Sequence, residues 1–239
     1  MRAIKKLLLR SPWIYEKVQS LRDRKFLEEG RKVGTYSQHG EDLKILDLLV
    51  DVSARGPYLD VGCNHPFRLS NTYLLYQRGW RGICVDPLPR YEKLFAKWRP
   101  NDTFVCAAVS ETPGSMQLFE FQSDVLSTLD STIADEYVKN GYALRRKTTV
   151  PAMPLDVLLA KNSVSLPMSL LSIDIEGYEL PALRSMDLDR WKPQVVCLEA
   201  LTADGVRNEA AIAHLLQSGY EIAYDQSLNI IFRRISSRN

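Results

Sequence analysis

Acidic residues lie at the ends of four apolar runs in this sequence, namely Asp60, Asp86, Asp174 and Glu199. Short apolar runs bounded by turn-forming residues predict buried strands. In an open α/β sheet, ligands bind beyond the carboxyl ends of the strands. We therefore expect these four carboxylates to gather along one edge of a sheet, where they can bind hydroxyl groups, attract a cation or accept a proton.

Two residues at this edge point to a cofactor that contains adenosine. Gly62 permits a tight turn and a close backbone approach after the first strand, and Asp86, about 20 residues further on, suits ribose hydroxyls. The sequence has neither Gly-x-Gly-x-x-Gly nor a Gly-Lys-Ser/Thr loop, which disfavours a dinucleotide or a nucleoside triphosphate. S-adenosylmethionine fits better, because its ribose would bind Asp86 and its positive charges would suit Asp60.

Several short motifs follow one another in the order found in a known family. They are Tyr36–Asp42, Asp60–Pro66, Ser70–Thr72, Gly79–Gly82, Val85–Pro87 and Ile173–Glu179. Residues 34–235 resemble the FkbM-type methyltransferases on these motifs. The resemblance implies a class I methyltransferase fold that uses S-adenosylmethionine, and methyl transfer to a hydroxyl, often on a sugar or a polyketide-derived ring.

The resemblance also implies which residues surround the cofactor. Asp60, Gly62 and Asp86 are joined by Ser37, Gln38, Gly40, Glu41, Cys63, Asn64, Pro87 and Ala108. The segment around Gln38 is expected to fold over the cofactor, whereas Ser37 could instead cap the helix that begins near Glu41. This sequence departs from many relatives at Cys63, where they have Ala, and at Asp86, where they have Glu. The second departure keeps the carboxylate on a shorter side chain.

Methyl transfer to a hydroxyl requires alignment of donor and acceptor and removal of a proton. The candidate proton acceptors are Asp174, Glu176, His65 and His39. Asp174 is preferred, because it ends the central strand beside the loop that follows the first strand. Glu176 could instead stabilise the N-terminus of the next helix, and both histidines could be hydrogen-bonding residues of loops.

Asp174 and Glu199 leave a metal site open as an alternative. Oxygen ligands at adjacent strand ends are the type that Mg²⁺ prefers, and a bound Mg²⁺ would lower the pKa of an acceptor hydroxyl. Two carboxylates are too few to define such a site, and Glu199 could instead orient a neighbouring loop.

Alternating helices and strands from residue 41 onward would position these side chains. The predicted strands are Tyr58–Gly62, Gly82–Asp86, Thr103–Val109, Ser169–Asp174, Gln194–Glu199, Tyr220–Tyr224 and Asn229–Arg234. The predicted helices are Glu41–Val50, Ser70–Arg78, Arg90–Trp98, Pro154–Lys161, Tyr178–Met186 and Glu209–Ser218. Helix-length connections predict parallel pairing, and the short last connection predicts an antiparallel hairpin. The order predicts the Rossmann-like, mostly parallel seven-stranded α/β sheet of class I methyltransferases, closed by an antiparallel C-terminal hairpin.

Two segments fall outside this alternation. Ser115–Gln122 alternates as a hairpin strand, and Ser123–Arg146 is polar, which predicts an insertion or lid that shapes the acceptor pocket. Residues 1–33 form a basic arm, within which residues 1–27 carry eight basic and two acidic groups. The arm predicts an amphipathic helix, or two with Pro12 as a break or as the first residue of the second. It could lie on an anionic membrane surface or pack on the domain.

The length of 239 residues, with 45% apolar and 25% charged side chains, fits one globular domain. The resemblance implies that this is a methyltransferase domain, which we expect to span residues 34–239 after the arm. No apolar run reaches the roughly 20 residues that cross a bilayer, and Leu7–Leu9 is too short for a secretory signal. We expect a cytoplasmic protein, with contact at the inner face of the membrane through residues 1–27 as an alternative. The four widely spaced cysteines predict free thiols.

The expected acceptor is a small molecule, a glycan or a glycolipid. Nucleic acid is disfavoured, because the positive charge is confined to the arm while the active edge is acidic. Two rival functions remain: an NAD-binding oxidoreductase on a similar sheet, which the missing glycine motif disfavours, and a binding protein without catalysis that the arm tethers. The intact set of Asp60, Asp86 and Asp174 argues against the second.

Overall fold

The computed structural model describes residues 12–49, 56–123, 126–162, 164–201, 206–226 and 228–235. Its helices are α1 (Pro12–Val33), α2 (Glu41–Leu49), α3 (Tyr73–Gln77), α4 (Arg90–Trp98), α5 (Ser131–Lys139), α6 (Leu155–Lys161), α7 (Glu179–Arg184), α8 (Leu188–Trp191) and α9 (Glu209–Gln217). Its strands are β1 (Tyr58–Val61), β2 (Gly82–Val85), β3 (Thr103–Val105), β4 (Ala108–Val109), β5 (Gly114–Phe121), β6 (Leu144–Met153), β7 (Leu170–Ile173), β8 (Val195–Glu199), β9 (Tyr220–Gln226) and β10 (Asn229–Arg234).

Seven strands form the main sheet, in the order β3-β2-β1-β7-β8-β10-β9. The first five of these are parallel neighbours, and β10 runs antiparallel to both β8 and β9. This arrangement confirms the predicted fold class, including the C-terminal hairpin. Because β1 and β7 are neighbours at the centre, the loops that follow them meet at one edge, as the sheet geometry requires.

Helices cover both faces of the sheet. Leu59 and Val61 of β1 belong to a core that includes side chains of α6, α7, α8 and α9, whereas Tyr58 belongs to a core with side chains of α2, α3 and α4. Successive side chains of a strand point to opposite faces, so β1 contributes to both cores. A strand buried on both sides is a rigid support for the residues at its end.

A second sheet of three strands, in the order β4-β6-β5, was not predicted as such. The prediction of a single strand over Thr103–Val109 is wrong, because the chain turns at Cys106 and Ala107 and β4 pairs with β6 instead. The polar segment Ser123–Arg146 is built around α5 and leads into the long strand β6. The side chains of β6 are mostly exposed up to Thr149, so the alternation of buried and exposed residues that would reveal a strand is absent there.

The second half of α1 packs on the domain. Leu27 is buried, and the rings of Phe26 and Phe67 lie 6.1 Å apart between centroids. Pro12 is the first residue of α1, as one of the two predictions had it. Residues 1–11 lie outside the described part, so the prediction of a further helix there stays a prediction. None of the helices that the structure describes is long and apolar enough to span a membrane.

Candidate active site

A cavity of about 990 Å³ opens at the carboxyl ends of β1, β2, β7 and β8, and residues of the second sheet line it as well. This volume is at the upper end of small-molecule sites, which leaves room for a nucleoside-sized cofactor together with an acceptor. The predicted site residues that line it are Gln38, Asp60, Gly62, Cys63, Asn64, His65, Asp86, Pro87, Ala108, Asp174, Glu176 and Glu199. Ser37, His39, Gly40 and Glu41 lie outside its lining.

The Ser37–Asp42 segment contributes one residue, Gln38, to the cavity. Ser37 Oγ accepts from the backbone N–H of Asp42 at 3.3 Å and donates to Asp42 Oδ1 at 2.9 Å, which fits the capping interpretation rather than a cofactor contact. Glu41 is fully buried and accepts from Asn229 Nδ2 at 2.8 Å. Burial raises the pKa of Glu41, but hydrogen bonds outweigh it and lower that pKa below its ordinary value. Glu41 therefore ties α2 to the start of β10 as a carboxylate.

Asp60 lies one residue before the end of β1 and is held from one side. The Thr72 hydroxyl donates to Asp60 Oδ2, and Arg99 Nη1 lies 4.0 Å from the same oxygen. Arg99 is fully buried and its Nε donates to Asp102 at 2.6 Å, so its charge is balanced. Burial raises the pKa of Asp60 to about 6, against the effects of Arg99 and Thr72. Oδ1 has no hydrogen bond to a described residue, which leaves it for a ligand in the cavity.

The loop after β1 depends on Gly62. This residue has φ +77°, and an added Cβ would lie 1.8 Å from the carbonyl oxygen of Asp174. A side chain would therefore separate the loops that follow β1 and β7. Asp86 accepts from the backbone N–H groups of Asn64 at 3.0 Å and Leu88 at 2.8 Å. A carboxylate offers about four lone-pair sites, so the type of side chain at Asp86 suits both fixing the loop and accepting from a diol.

Asp174 and Glu199 form a pair of carboxyl groups on the floor of the cavity. Asp174 is accessible from the cavity, although protein surrounds it on the other sides. Burial and the charge of Asp174 raise the pKa of Glu199 above its ordinary value. Burial also raises the pKa of Asp174, while its interaction with Glu199 lowers it. The two carboxyl groups therefore titrate as a coupled pair.

Glu176 is held in position by the insertion. Tyr137 of α5 donates its hydroxyl to Glu176 Oε2 at 2.8 Å, and the Thr128 hydroxyl donates to the Glu176 carbonyl oxygen at 3.3 Å. Glu176 has φ +52°, a left-handed conformation that is uncommon for non-glycine residues. Burial and the charge of Asp174 raise the pKa of Glu176 to about 7, whereas the Tyr137 hydrogen bond lowers it. Its carboxyl group is thus poised to exchange a proton near neutrality.

Glu179, rather than Glu176, organises the start of the next helix. Its Oε1 accepts from the backbone N–H groups of Ile175 at 3.3 Å and Gly177 at 3.0 Å. Its Oε2 accepts from Asn208 Nδ2 at 3.2 Å. Because Glu179 takes the role that was the alternative for Glu176, the carboxyl group of Glu176 is left to face the cavity.

His65 lines the cavity but lies beside α1. Its Nε2 is 3.6 Å from Asp23 Oδ1, and its Nδ1 accepts from the backbone N–H groups of Phe67 and Arg68, each at 3.4 Å. These contacts match the interpretation of His65 as a loop residue. His39 is exposed, which matches the same interpretation for the second histidine.

Asp174, Glu176 and Glu199 offer oxygen atoms that all lie within 4.8 Å of one another. That spacing is compatible with a divalent cation, although clustered carboxylates do not by themselves define a metal site. All four cysteines are free, as predicted.

Several site residues were missed by sequence reasoning. Tyr137 and Thr128 lie in the insertion, more than 35 positions from Glu176. Arg99 directly follows α4, whose pattern of apolar residues predicts an amphipathic helix but gives no indication of a buried arginine after it. Within the Ser70–Thr72 motif, Ser70 Oγ accepts from the backbone N–H of Tyr73 at 3.1 Å, while the Thr72 hydroxyl donates to Asp60. A polar residue beside an apolar run was the one available signal for Thr72.

Comparisons with known proteins place this site in context. The family model described as "Methyltransferase FkbM domain" matches residues 60–222, which is more than half of the chain. No curated protein matches the sequence.

Similar solved structures are a TehB-like SAM-dependent methyltransferase from Corynebacterium glutamicum and the 1,6-didemethyltoxoflavin-N1-methyltransferase from Burkholderia thailandensis, the latter with bound 1,6-didemethyltoxoflavin and S-adenosylhomocysteine. Each is 12% identical with a TM-score of 0.43. The matches cover 92% of this chain and 98% of the first structure, and 95% of this chain and 91% of the second. Because both TM-scores are below 0.5, the fold is assigned from the strand order of the main sheet alone.

Proposed function

This chain belongs to the FkbM methyltransferase family, and from that premise we propose that it transfers a methyl group from S-adenosylmethionine to a hydroxyl of a sugar, glycan or glycosylated intermediate. One observation carries the proposal: a single cavity has Asp60 and Asp86 beside the Gly62 loop, and a carboxyl group with a pKa of about 7, that of Glu176, on its floor. The first group suits the cofactor and the second suits removal of a hydroxyl proton.

The residues around the Gly62 loop fit S-adenosylmethionine. Gly62 allows the loop after β1 to lie close to Asp174, because the Cβ of any other residue would overlap the Asp174 carbonyl oxygen. Asp60 Oδ1 can accept from the cofactor ammonium group, and Asp86 can accept from the ribose hydroxyls. When bound, the cofactor supplies an electrophilic methyl group on a sulfonium centre.

The chain's own contribution is to align the acceptor and take its proton. A sugar hydroxyl is a weak nucleophile, so proton removal must accompany attack. We assign the proton to Glu176, because its pKa is near neutrality and Tyr137 fixes its carboxylate at 2.8 Å. Asp174, the preferred residue from the sequence, is assigned the role of a neighbour whose charge raises the pKa of Glu176.

Mass spectrometry can test the proposal directly. The purified protein is incubated with S-adenosylmethionine carrying a deuterated methyl group and with extracted glycans and glycolipids. We expect labelled, alkali-stable methyl ethers, and their loss in Glu176→Gln. The control Glu92→Gln changes an exposed residue of α4. Label on nitrogen or carbon would contradict the hydroxyl assignment, and binding of the cofactor without label in any extract would favour a binding protein that has lost catalysis.

A further inference from the structure

We infer that the acceptor carries an oxyanion, a phosphate or a carboxylate, that binds between Arg22 and Arg145 on the wall of the cavity. The inference rests on the proposed function, because it concerns the acceptor of that same site. Neither arginine was singled out by the motifs, and Arg22 lies outside the residues that the family model matches.

Two uncompensated cations face this cavity from different parts of the chain. Arg22 lies on α1 and Arg145 on β6; both are exposed and both line the cavity. Within the ranges that the structure describes, no ion pair or hydrogen bond occupies either guanidinium. Arg146, the neighbour of Arg145, instead binds Glu120 at 2.7 Å. The charges of Arg22 and Arg145 are therefore left for a ligand.

The position of Arg22 is fixed by a buried ion pair one residue away. Asp23 is buried and pairs with Arg68, and His65 Nε2 lies 3.6 Å from the same carboxylate. Burial raises the pKa of Asp23, but the hydrogen bonds with His65 and Arg68 lower it overall, so the carboxylate stays ionised. This anchor docks α1 and directs Arg22 and Phe26 to the cavity wall.

The charges of the cavity separate two parts of the acceptor. The carboxyl groups that line the cavity come from the strand ends, where they repel an anion, while the two arginines come from α1 and β6. Guanidinium groups bind phosphate and carboxylate oxygens with paired N–H donors. An acceptor whose anion lies at the two arginines and whose reacting hydroxyl lies at the carboxyl groups fits both sets of charges. A neutral acceptor would leave the two arginines without an anionic partner.

Three probes test the inference in the presence of saturating S-adenosylhomocysteine: glucose 1-phosphate, glucuronate and glucose. We expect a charged probe to bind at least about tenfold more tightly than glucose in calorimetric titration. Binding of glucose 1-phosphate alone identifies a phosphate, and binding of glucuronate alone identifies a carboxylate. The double variant Arg22→Gln/Arg145→Gln should lose at least about tenfold in affinity for that probe.

The matched control is Arg24→Gln/Lys147→Gln, which removes exposed charges from the same two elements away from the cavity lining. It should bind every probe like the wild type. Equal affinity for charged and neutral probes, or unchanged affinity in the Arg22/Arg145 variant, would overturn the inference. Affinity for S-adenosylhomocysteine separates the two proposals: it should be unchanged in the double variant, and its absence in the wild type would instead overturn the proposed function.

Discussion

Removing the Tyr137 hydroxyl should make Glu176 a weaker acid. The hydroxyl donates to Glu176 Oε2 at 2.8 Å and stabilises the ionised form. In Tyr137→Phe the ring keeps its edge contacts with Phe121 and Tyr142, at 5.5 and 5.7 Å between centroids, so the packing of α5 is retained. The pKa of Glu176 should rise above its value of about 7, because loss of the hydrogen bond destabilises the ionised carboxylate and leaves the neutral form unchanged.

The size of this change follows from the strength of the bond. A hydrogen bond to a charged group contributes about 1.5–3 kcal/mol, and the lower end applies because Glu176 is only partly buried. Since about 1.4 kcal/mol corresponds to one pH unit, the titration midpoint should move upward by about one pH unit. Asp174→Asn should move it the other way, because the charge of Asp174 raises the pKa of Glu176.

Carbon-13 NMR of protein labelled at the glutamate carboxyl carbon measures these midpoints without any acceptor, in buffer with a chelator. The Glu176 signal is the one missing in Glu176→Gln. Tyr142→Phe is the control, because Tyr142 contacts the Tyr137 ring and has no hydrogen bond to Glu176 among the described residues. Equal midpoints in wild type and Tyr137→Phe, or shifts of the same sign in Tyr137→Phe and Asp174→Asn, would refute the reasoning.

Two further predictions concern the cofactor half of the cavity. Gly62→Ala should lower the free energy of unfolding by about 2–4 kcal/mol in urea denaturation, because the added Cβ overlaps the Asp174 carbonyl oxygen. The control Gly141→Ala, at φ +86° with no atom within 4 Å of the added Cβ, should lower it by only about 1–2 kcal/mol. Equal losses in the two variants would show that the overlap at Gly62 is relieved. Affinity for S-adenosylhomocysteine should fall as the pH drops through about 6, since protonation of Asp60 removes the charge that faces the ammonium group. The Asp60→Asn variant should bind S-adenosylhomocysteine weakly at every pH. An identical pH profile in the wild type and in Asp60→Asn would contradict the role of Asp60.

The residues at the strand ends could be predicted because two independent patterns agree there. Buried runs such as Tyr58–Val61 define strands, and parallel strands place their carboxyl ends at one edge, so Asp60, Asp86, Asp174 and Glu199 could be brought together without coordinates. The family model matches residues 60–222, a range that includes all four strand ends, and the assignment of these residues to the cofactor stays a prediction.

The second sheet and its contacts could not be predicted, for two physical reasons. Thr103–Val109 is a continuous apolar run, and periodicity does not show that its last two residues leave the main sheet to pair with β6. Tyr137 reaches Glu176 across the fold, and nothing in the local sequence distinguishes its hydroxyl from that of any other buried tyrosine. Hydrogen bonds between distant segments depend on tertiary packing, which a single sequence does not encode in its spacing.

Calorimetric titration of S-adenosylhomocysteine into the wild type, Asp86→Ala and Glu92→Ala tests the central claim most directly. Two hydrogen bonds from ribose hydroxyls to a carboxylate contribute about 1.5 kcal/mol or more each, so the account predicts at least about 100-fold weaker binding in Asp86→Ala. Glu92→Ala, which changes an exposed residue, should bind like the wild type, and circular dichroism should show the same fold in all three. Unchanged affinity in a folded Asp86→Ala protein would contradict the assignment of this cavity to the cofactor.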